Sequence, residues 1–417
     1  MIVFKDAQKI LDETSLVANF LEIVKMDTQS DEASKSCPST DKQIVALEIL
    51  EEKLKALGLE DAAVDKNGYL FATMPANVKN APTIGLLAHI DTAPDYSGTD
   101  VDPQLHKDYQ GGAIELKNEI TITPAENPEL EKCIGDTIIT ADGTTLLGAD
   151  DKAGIAEILA VMEILQNNPD IPRPTVRVGF TPDEEIGRGA SKFDIKVFGA
   201  DCAYTLDGGW LGEINSETFS ADGAVVKFTG VAVHPGYAKG KLVNALKYAA
   251  KFVERLPHAE SPEMTENREG FYHVTNIEGN SSEAKVSLIL RDFEVDILKT
   301  RGEKVNAIAA ELMQEAPGLK VEVEISETYR NMAYWLKDKP EIIDMLGKAV
   351  EITGIAPDRK PIRGGTDGSG LTAKGLPTPN IFAGGLNFHG PREWVSTRVM
   401  ALTSCTVLNL LQKWAEK

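Results

Sequence analysis

Apolar and polar positions along the chain change rhythm several times, and each change predicts an element. Near the N-terminus, apolar residues at helical spacing predict one helix over residues 6–25 and another over 42–57, which ends at Gly58. Beyond them, short apolar runs alternate with helical stretches, a pattern typical of an α/β sheet flanked by helices. The predicted strands are 83–88, 137–147 (with a hairpin turn at Asp142-Gly143), 176–180, 202–206 and 379–383, and the predicted helices are 153–167, 190–198, 338–353 and 396–414.

The segment 219–330 has another order of elements. Its pattern reads β-α-β-β-α-β, the split βαβ arrangement of ferredoxin-like domains. A chain of 417 residues is also too long for one compact core. We therefore predict a mixed-sheet α/β domain of residues 1–218 plus 331–417, with residues 219–330 inserted as a second domain. The predicted elements of the insertion are strands 223–231, 271–279, 284–293 and 319–326 and helices 241–255 and 295–314.

Charge and cysteine content narrow the choice of partners. The formal net charge of −21 repels phosphate backbones and anionic lipid, so we predict no nucleic acid and no membrane as partners. Charged residues interrupt the N-terminus before an apolar signal segment forms, and no stretch approaches the length of a membrane helix. The four cysteines lie far apart without a CxxC pair, which fits a reduced cytoplasm.

Ionisable residues follow predicted strands repeatedly. In open α/β sheets, ligands bind beyond the carboxyl ends of the strands, so these side chains are expected to meet at one edge. Each group alone is also compatible with a structural role, such as a helix N-cap at Asp150 and Asp151. A like-charged cluster at one edge, however, needs a cation. The candidates are His89, Asp91, Asp150, Asp151, Asp183, Glu184, Glu185, Asp207 and His389.

The types of these side chains indicate which cation and which chemistry. Two imidazoles with several carboxylates and no thiolate suit zinc, manganese or cobalt. One histidine for each metal and a shared carboxylate are the composition of a two-metal hydrolytic site. The pair Glu184-Glu185 supplies one carboxylate as a ligand and another as a general base.

Three strings carry a resemblance to a known family: His89-Ile90-Asp91, residues 147–154 (LGADDKAG) and residues 181–185 (TPDEE). They resemble the co-catalytic dizinc exopeptidases, which include carboxypeptidases, aminoacylases and aminotripeptidases. Further strings, among them His234-Pro235-Gly236 and residues 361–368 (PIRGGTDG), are similar to the aminotripeptidases in particular. The resemblance runs from about residue 14 to the last predicted helix.

This resemblance implies an aminopeptidase that releases the N-terminal residue from tripeptides with two Zn²⁺ per subunit, for which Co²⁺ or Mn²⁺ can substitute. Glu184 would act as general base and acid, and Asp91 would orient His89. The peptide bond between Asp150 and Asp151 would be cis. The implied metal ligands are His89 and Asp207 for one zinc, Glu185 and His389 for the other, and Asp150 as the bridge between them.

The resemblance also gives the inserted domain a role as a lid over a short peptide substrate and as the surface of a homodimer. His234 resembles the residue that stabilises the tetrahedral oxyanion, and a turn cap is the structural alternative for it. Arg291 and Arg363 resemble anchors for the carboxylate or the carbonyls of the peptide, and Arg291 could instead form a structural ion pair. The glycine-rich run 364–370 lacks the ending of a P-loop, and we interpret it as a tight turn.

Three features depart from the aminotripeptidase pattern: Trp210, residues 369–374 and the segment 124–135. Trp210 stands where that pattern has a glycine, and a bulky indole would narrow a substrate pocket. Dipeptides and N-acyl amino acids are therefore alternative substrates for the same dizinc chemistry. A metal-dependent peptide-binding protein without catalysis is a third interpretation, against which the presence of Glu184 beside the ligands argues.

Overall fold

The computed structural model describes residues 2–417. Its helices are α1 (Ala7–Glu13), α2 (Leu16–Ile23), α3 (Asp41–Ala56), α4 (Ala149–Asn167), α5 (Ile195–Phe198), α6 (Ala245–Arg255), α7 (Val295–Glu315), α8 (Ala333–Leu336), α9 (Pro340–Ile352), α10 (Asp367–Ala373) and α11 (Thr397–Ala415). Its strands are β1 (Ala63–Val64), β2 (Leu70–Met74), β3 (Ile84–His89), β4 (Gln104–His106), β5 (Ile114–Glu115), β6 (Thr121–Ile122), β7 (Ile138–Thr140), β8 (Val176–Thr181), β9 (Cys202–Gly208), β10 (Glu213–Asn215), β11 (Ser220–Thr229), β12 (Phe271–Gly279), β13 (Glu283–Asp292), β14 (Lys320–Tyr329), β15 (Asp358–Arg359), β16 (Asn380–Phe382), β17 (Gly385–Leu386) and β18 (Trp394–Ser396).

Within residues 2–417 the chain divides into two compact units. The larger unit comprises residues 2–216, 335–360 and 366–417, and the smaller unit comprises residues 217–334 and 361–365. The short run 361–365 belongs with the smaller unit because its backbone pairs there. The N–H of Phe219 donates to the carbonyl of Ile362, and Thr218 and Ile362 form a parallel bridge.

The larger unit is built on a mixed sheet flanked by helices, as predicted. Within the described residues its strand order is β1-β2-β8-β3-β9-β16-β10-β15, and β8, β3, β9 and β16 run parallel to one another. Helix α4 packs on β3 and β9, and α11 packs on α4 and α9. A hydrophobic cluster joins Phe198 of α5 and Leu371 of α10 to Leu87 and Ala203 of the sheet. The neighbouring parallel strands β8, β3 and β9 end at the same level, so their carboxyl ends form one edge of the sheet.

The smaller unit has the predicted order β11-α6-β12-β13-α7-β14. Its strands form an antiparallel sheet in the order β12-β13-β11-β14, and α6 and α7 pack against it. Strand β13 alternates between the two faces, and its apolar side chains are buried at every second position from Ala284 to Leu290. These side chains join Phe252 of α6 and Ile308 of α7 in one hydrophobic core.

Three predicted elements were wrong in extent. The helix over 6–25 is two helices, because the Thr14 hydroxyl accepts the N–H of Leu16 and the backbone of Thr14 is extended. The strand over 137–147 ends at Thr140, and Asp142-Gly143 makes no hairpin: the Asp142 carboxylate accepts the N–H of Thr144 instead. The helix over 190–198 begins only after the cap at Asp194.

The glycine-rich run 364–370 was also misread as a turn. It leads instead into α10, whose N-cap is Thr366. Among the helices of residues 2–417, none combines the length and the apolar character that a bilayer crossing requires.

Candidate metal centre

Three neighbouring strands bring predicted site residues to one edge of the larger unit's sheet. His89 is the last residue of β3 and pairs in register with Thr181, the last residue of β8. Asp207 lies near the end of β9, on the other side of β3. Glu184 and Glu185 follow β8 after a short turn. The parallel arrangement therefore gathers these four side chains at the carboxyl ends of the strands, as the sequence predicted.

Asp150 reaches the same edge from the start of α4. Its peptide bond to Asp151 is cis, as the family resemblance implied, and both residues have non-helical backbone angles. The Asp150 carboxylate lies between two imidazoles. Its Oδ1 is 2.9 Å from Nε2 of His89, and its Oδ2 is 3.4 Å from Nε2 of His389. One carboxylate thus faces both predicted histidine ligands.

His389 completes the group from the loop after β17. Its backbone adopts a left-handed conformation with φ of 63°. Its Nε2 is 2.9 Å from Oε2 of Glu185, and its Nδ1 is 3.5 Å from Oδ2 of Asp95. The side chain is 43% exposed, whereas that of His89 is buried. The two sides of the cluster therefore differ in access to solvent.

The donor atoms of the cluster are close enough for metal coordination. In each of two groups, ligand atoms lie within 4.8 Å of one another: His89 with Asp150 and Glu185, and His89 with Asp151 and Asp207. Asp151 was not among the predicted ligands. Its Oδ2 accepts the N–H of His89, whereas its buried Oδ1 has no hydrogen-bond partner among the described residues. Imidazole nitrogens and carboxylate oxygens are a donor set that fits zinc, manganese or cobalt.

The protonation of the two imidazoles follows from these contacts. Burial disfavours a charged His89, but the hydrogen bonds to Asp150 and Asp91 outweigh it and raise the pKa of His89 well above its usual range. Hydrogen bonds to Asp150 and Glu185 raise the pKa of His389 to about 11. Burial opposes ionisation of Asp150, yet the two histidines hold its pKa below the ordinary value.

The remaining acids of the cluster resist ionisation. Burial, reinforced by neighbouring negative charge, raises the pKa of Glu185 to about 7. The same two causes raise the pKa of Glu184 and of Asp207 well above their ordinary values. Acids packed together in this way retain protons unless a cation compensates their charge. The electrostatics of the edge therefore fit a site for positive ions.

Asp91 contacts His89 as predicted, and it also binds the backbone of Glu184 and Glu185, which the sequence did not indicate. Nδ1 of His89 is 3.0 Å from the backbone oxygen of Asp91 and 3.4 Å from its Oδ1. The Asp91 carboxylate also accepts the N–H groups of Glu184, at 2.9 Å, and Glu185, at 3.1 Å. It therefore fixes both the imidazole and the turn that carries the two glutamates.

Glu393 is a site residue that sequence reasoning missed. Its buried carboxylate accepts the N–H groups of Leu147 and Gly148, both at 2.8 Å, and that of Asp150 at 3.1 Å. Burial raises its pKa to about 7, because these donors only partly offset the loss of hydration. A glutamate directly before the apolar pair Trp394-Val395 was the available sequence signal.

Two further buried aspartates, Asp367 and Asp183, contact or adjoin the segments that carry the cluster. Asp367, at the start of α10, accepts a hydrogen bond from the Thr181 hydroxyl at 2.6 Å, and burial raises its pKa to about 6. Asp183, in the turn before Glu184, is fully buried and bonded to residues at the start of α3. The sequence analysis named Asp183 among the candidates for the cation cluster and gave Asp367 no role.

The predicted substrate residues lie in the smaller unit. His234 is exposed, and its Nδ1 accepts the N–H of Gly236, the turn cap that was the structural alternative. The Arg291 guanidinium lies over the ring of Tyr329, 5.2 Å from its centroid. Arg363 donates from both terminal nitrogens to oxygens of Thr265, Asn267 and Glu269, so it already has a structural role in this conformation.

Trp210, one of the departures from the aminotripeptidase pattern, has a packing role. Its ring lies 5.5 Å from that of Trp394 in a hydrophobic cluster of the larger unit that includes Ile138 and Leu130. This contact accounts for a large apolar side chain at position 210 without reference to a substrate.

Comparison with known proteins agrees with this geometry. The sequence profile of Peptidase family M20/M25/M40 matches residues 142–413. Peptidase T of Geobacillus thermodenitrificans (strain NG80-2) is 49% identical over 405 residues, which cover 96% of this chain and 98% of that protein.

Solved structures resemble the fold. The crystal structure of a tripeptidase from Staphylococcus aureus subsp. aureus Mu50 superposes with a TM-score of 0.77 at 22% identity, covering 99% of this chain and 100% of that chain. Aminopeptidase PepT from Bacillus cereus ATCC 10987 gives a TM-score of 0.73 at 23% identity, covering 96% and 98%. With a profile match over most of its length and a near full-length relative at 49% identity, the chain belongs to Peptidase family M20/M25/M40.

Proposed function

We propose that this metallopeptidase is an aminopeptidase that releases the N-terminal residue from tripeptides at a two-zinc centre. The observation that carries the proposal is the Asp150 carboxylate, whose two oxygens face the Nε2 atoms of His89 and His389. A carboxylate placed between two imidazoles is the arrangement that a shared ligand of two metals requires. The Peptidase T relatives and the structural similarity to a tripeptidase from Staphylococcus aureus support the choice of tripeptides as substrates.

Each predicted ligand has a place in this proposal. His89 and Asp207 would hold one Zn²⁺, and Glu185 and His389 the other, with Asp150 between them. The unpartnered Oε1 of Glu185 and the 2.9 Å contact of its Oε2 with His389 support this pairing. Two bound cations would supply Lewis acidity for the scissile carbonyl and a water activated at neutral pH. Co²⁺ and Mn²⁺ have compatible preferences for these donors.

Glu184 is proposed as the general base and acid. Its carboxylate takes the proton of the attacking water and returns it to the leaving amine. A carboxylate suits this exchange, because it can accept a proton from water and return it to the amine. Asp91 supports the assignment, because it binds the N–H of Glu184 and so limits the positions of that side chain.

The smaller unit is proposed to contribute substrate binding. His234 would stabilise the oxyanion, and Arg291 would bind the peptide carboxylate. Arg363 is the weaker anchor of the two arginines, because its terminal nitrogens already donate to oxygens of its own unit. The packing of Trp210 on Trp394 removes the specific reason for preferring dipeptides or N-acyl amino acids.

We further propose that residues 1–218 and 331–417 form the catalytic domain in the cytoplasm, and that residues 219–330 act as lid and homodimer surface. The cysteines of the described chain are all free thiols, which supports a reducing compartment. Strands β12 and β14 are edges of the smaller unit's sheet, and an edge strand can pair with a second copy. Sedimentation equilibrium would contradict the dimer if it gave only the 45.2 kDa monomer.

A cleavage assay tests the function directly. The zinc-loaded protein is given Met-Gly-Gly, a matched dipeptide, a matched tetrapeptide and an N-acetylated amino acid, each with and without a chelator. We expect release of the N-terminal residue from the tripeptide, loss of that activity with chelator, and its return with zinc. Preference for the dipeptide or the acylated substrate would contradict the specificity but retain the chemistry. Failure to cleave any of them, with two metals bound, would support the binding-protein interpretation.

A further inference from the structure

Asp183 is a buried carboxylate beside Glu184 and Glu185 that the proposed chemistry does not use. Its two oxygens accept the N–H of Ser39 at 3.0 and 2.8 Å. Its Oδ1 also accepts the Ser39 hydroxyl at 2.5 Å and the side-chain amide of Gln43 at 2.8 Å. Its own N–H donates to the Gln43 side-chain oxygen at 3.1 Å. We call Asp183, Ser39 and Gln43 the clamp.

The backbone around Asp183 explains why a clamp is needed. Asp183 has φ of 58°, a left-handed conformation that side chains other than those of glycine, asparagine and aspartate seldom adopt. The N–H of Arg188 donates to the carbonyl of Asp183, which closes the turn containing both glutamates. Asp91 binds the N–H groups of Glu184 and Glu185. Three consecutive residues are therefore fixed, Asp183 by the clamp and the next two by Asp91.

Ser39 also connects the clamp to a cleft. Its hydroxyl oxygen accepts the N–H of Asp31 at 2.9 Å. Asp31 and Thr40 line a cleft of about 710 Å³ in the larger unit, and Glu185 lines it too. The same serine thus binds the wall of the cleft and the turn that carries Glu185.

We propose that Asp183 is a positioning residue. Through its bonds to Ser39 and Gln43, it fixes the position of Glu184 and Glu185 relative to the wall of this cleft. The proposal rests on the proposed function, in which Glu184 transfers protons and Glu185 binds metal. A displacement of about 1 Å at reacting groups can lower a rate on the order of 100-fold. We therefore expect a substitution at Asp183 to lower the catalytic rate and the metal affinity, and not only the stability of the fold.

Replacing Asp183 by asparagine changes one atom of the clamp. With its oxygen at the place of Oδ1, asparagine retains the bonds to the Ser39 hydroxyl and to Gln43. Its NH₂ group then faces the Ser39 N–H across the present 2.8 Å contact, where two donors repel each other. Asp183→Asn therefore strains the clamp with little change in volume. Ser39→Ala, which removes the hydroxyl shared with Asp31, is a milder second variant.

The matched control is Asp136→Asn in the same unit. The buried Asp136 carboxylate also accepts several hydrogen bonds, from Thr137, Ser396, Thr397 and the N–H of Arg398. None of these residues belongs to the clamp or to the candidate metal centre. Any loss of stability that follows from disturbing a buried aspartate should therefore appear in both variants.

The experiment compares the zinc-loaded wild type, Asp183→Asn, Ser39→Ala and Asp136→Asn. We measure Tm, metal content, zinc affinity by chelator competition, and kcat and KM for Met-Gly-Gly. For Asp183→Asn we expect kcat per metal-loaded site to fall on the order of 100-fold, with a smaller change in KM. We expect Ser39→Ala to fall in the same direction by less, and Asp136→Asn to change only Tm.

Other outcomes separate this inference from the proposed function. A kcat of Asp183→Asn within about twofold of wild type, with Tm lowered as in the control, would overturn the positioning role. If the wild type cleaves no peptide, the proposed function fails, and zinc affinity alone decides on the clamp. A zinc affinity about 10- to 100-fold lower in Asp183→Asn, but unchanged in Asp136→Asn, would then support the positioning role of the clamp. Equal affinities in the two variants would reject it.

Discussion

The carboxyl-end edge of the larger unit's sheet and the interior of the smaller unit's sheet bury opposite kinds of side chain. At the edge, the buried positions include His89, Asp91 and Asp183. In the smaller unit, the buried positions of β13 are apolar from Ala284 to Leu290. Apolar burial stabilises a fold by itself, whereas buried like charges need partners or cations. The comparison teaches that the stability of the edge depends on partners or cations for its buried charges, whereas the stability of the smaller unit depends on its own apolar packing.

The largest expected effect is at the edge. Glu184→Gln keeps the volume of the side chain but removes its ability to take a proton. We expect kcat to fall by about 10²- to 10⁴-fold, the usual contribution of a general base, while metal content stays at the wild-type value. Single-turnover assays with quantified zinc would measure it, with Glu48→Gln on the exposed face of α3 as a control. Retention of wild-type kcat would mean that another group transfers the proton.

The next effect sharpens the other side of the comparison. Leu290→Ala removes a fully buried side chain from the core of the smaller unit. We expect a loss of about 2–5 kcal/mol in the stability of that unit, measured by amide hydrogen exchange in β11 and β13. Ile289→Ala is the matched control, because Ile289 is only partly buried and points to the other face. Zinc affinity of the larger unit should not change, and a parallel loss of affinity would break the comparison.

The smallest of the three effects concerns how the edge is held. Glu393→Gln leaves an NH₂ group against backbone N–H donors at Leu147 and Gly148 or at Asp150. We expect zinc affinity to fall by about 10- to 100-fold, as for other residues that orient metal ligands. Competition with a chromophoric chelator would measure it. Wild-type affinity in this variant, beside an unchanged Asp136→Asn control, would show that the Asp150 loop does not depend on Glu393.

The sequence predicted the features that depend on local pattern. Alternating burial along β13 and helical spacing along α7 identified the smaller unit's elements. Ionisable residues after strands identified the edge, because parallel strands bring their carboxyl ends together. The family resemblance added the cis bond, which a pattern of residue types alone does not specify. The pairing of ligands that it implies stays a prediction.

The sequence could not predict the contacts that join distant segments. Glu393 accepts from N–H groups 246 and 245 residues away in the chain, and Asp183 bonds to Ser39 144 residues away. No local period records such pairs. Short polar contacts misled the prediction in another way: at Thr14 and Asp142, side chains bind the nearby backbone and end elements that apolar spacing would continue.

The stretch from His389 to Glu393 has a consequence for protein design. Within five residues it presents an imidazole to Asp150 and Glu185 and binds the backbone on both sides of Gly148. Two loops that are distant in the chain are therefore joined by direct contacts. An engineer who grafts the histidine onto another scaffold must also carry the glutamate and the loop 147–151, because Glu393 binds the backbone N–H of Asp150.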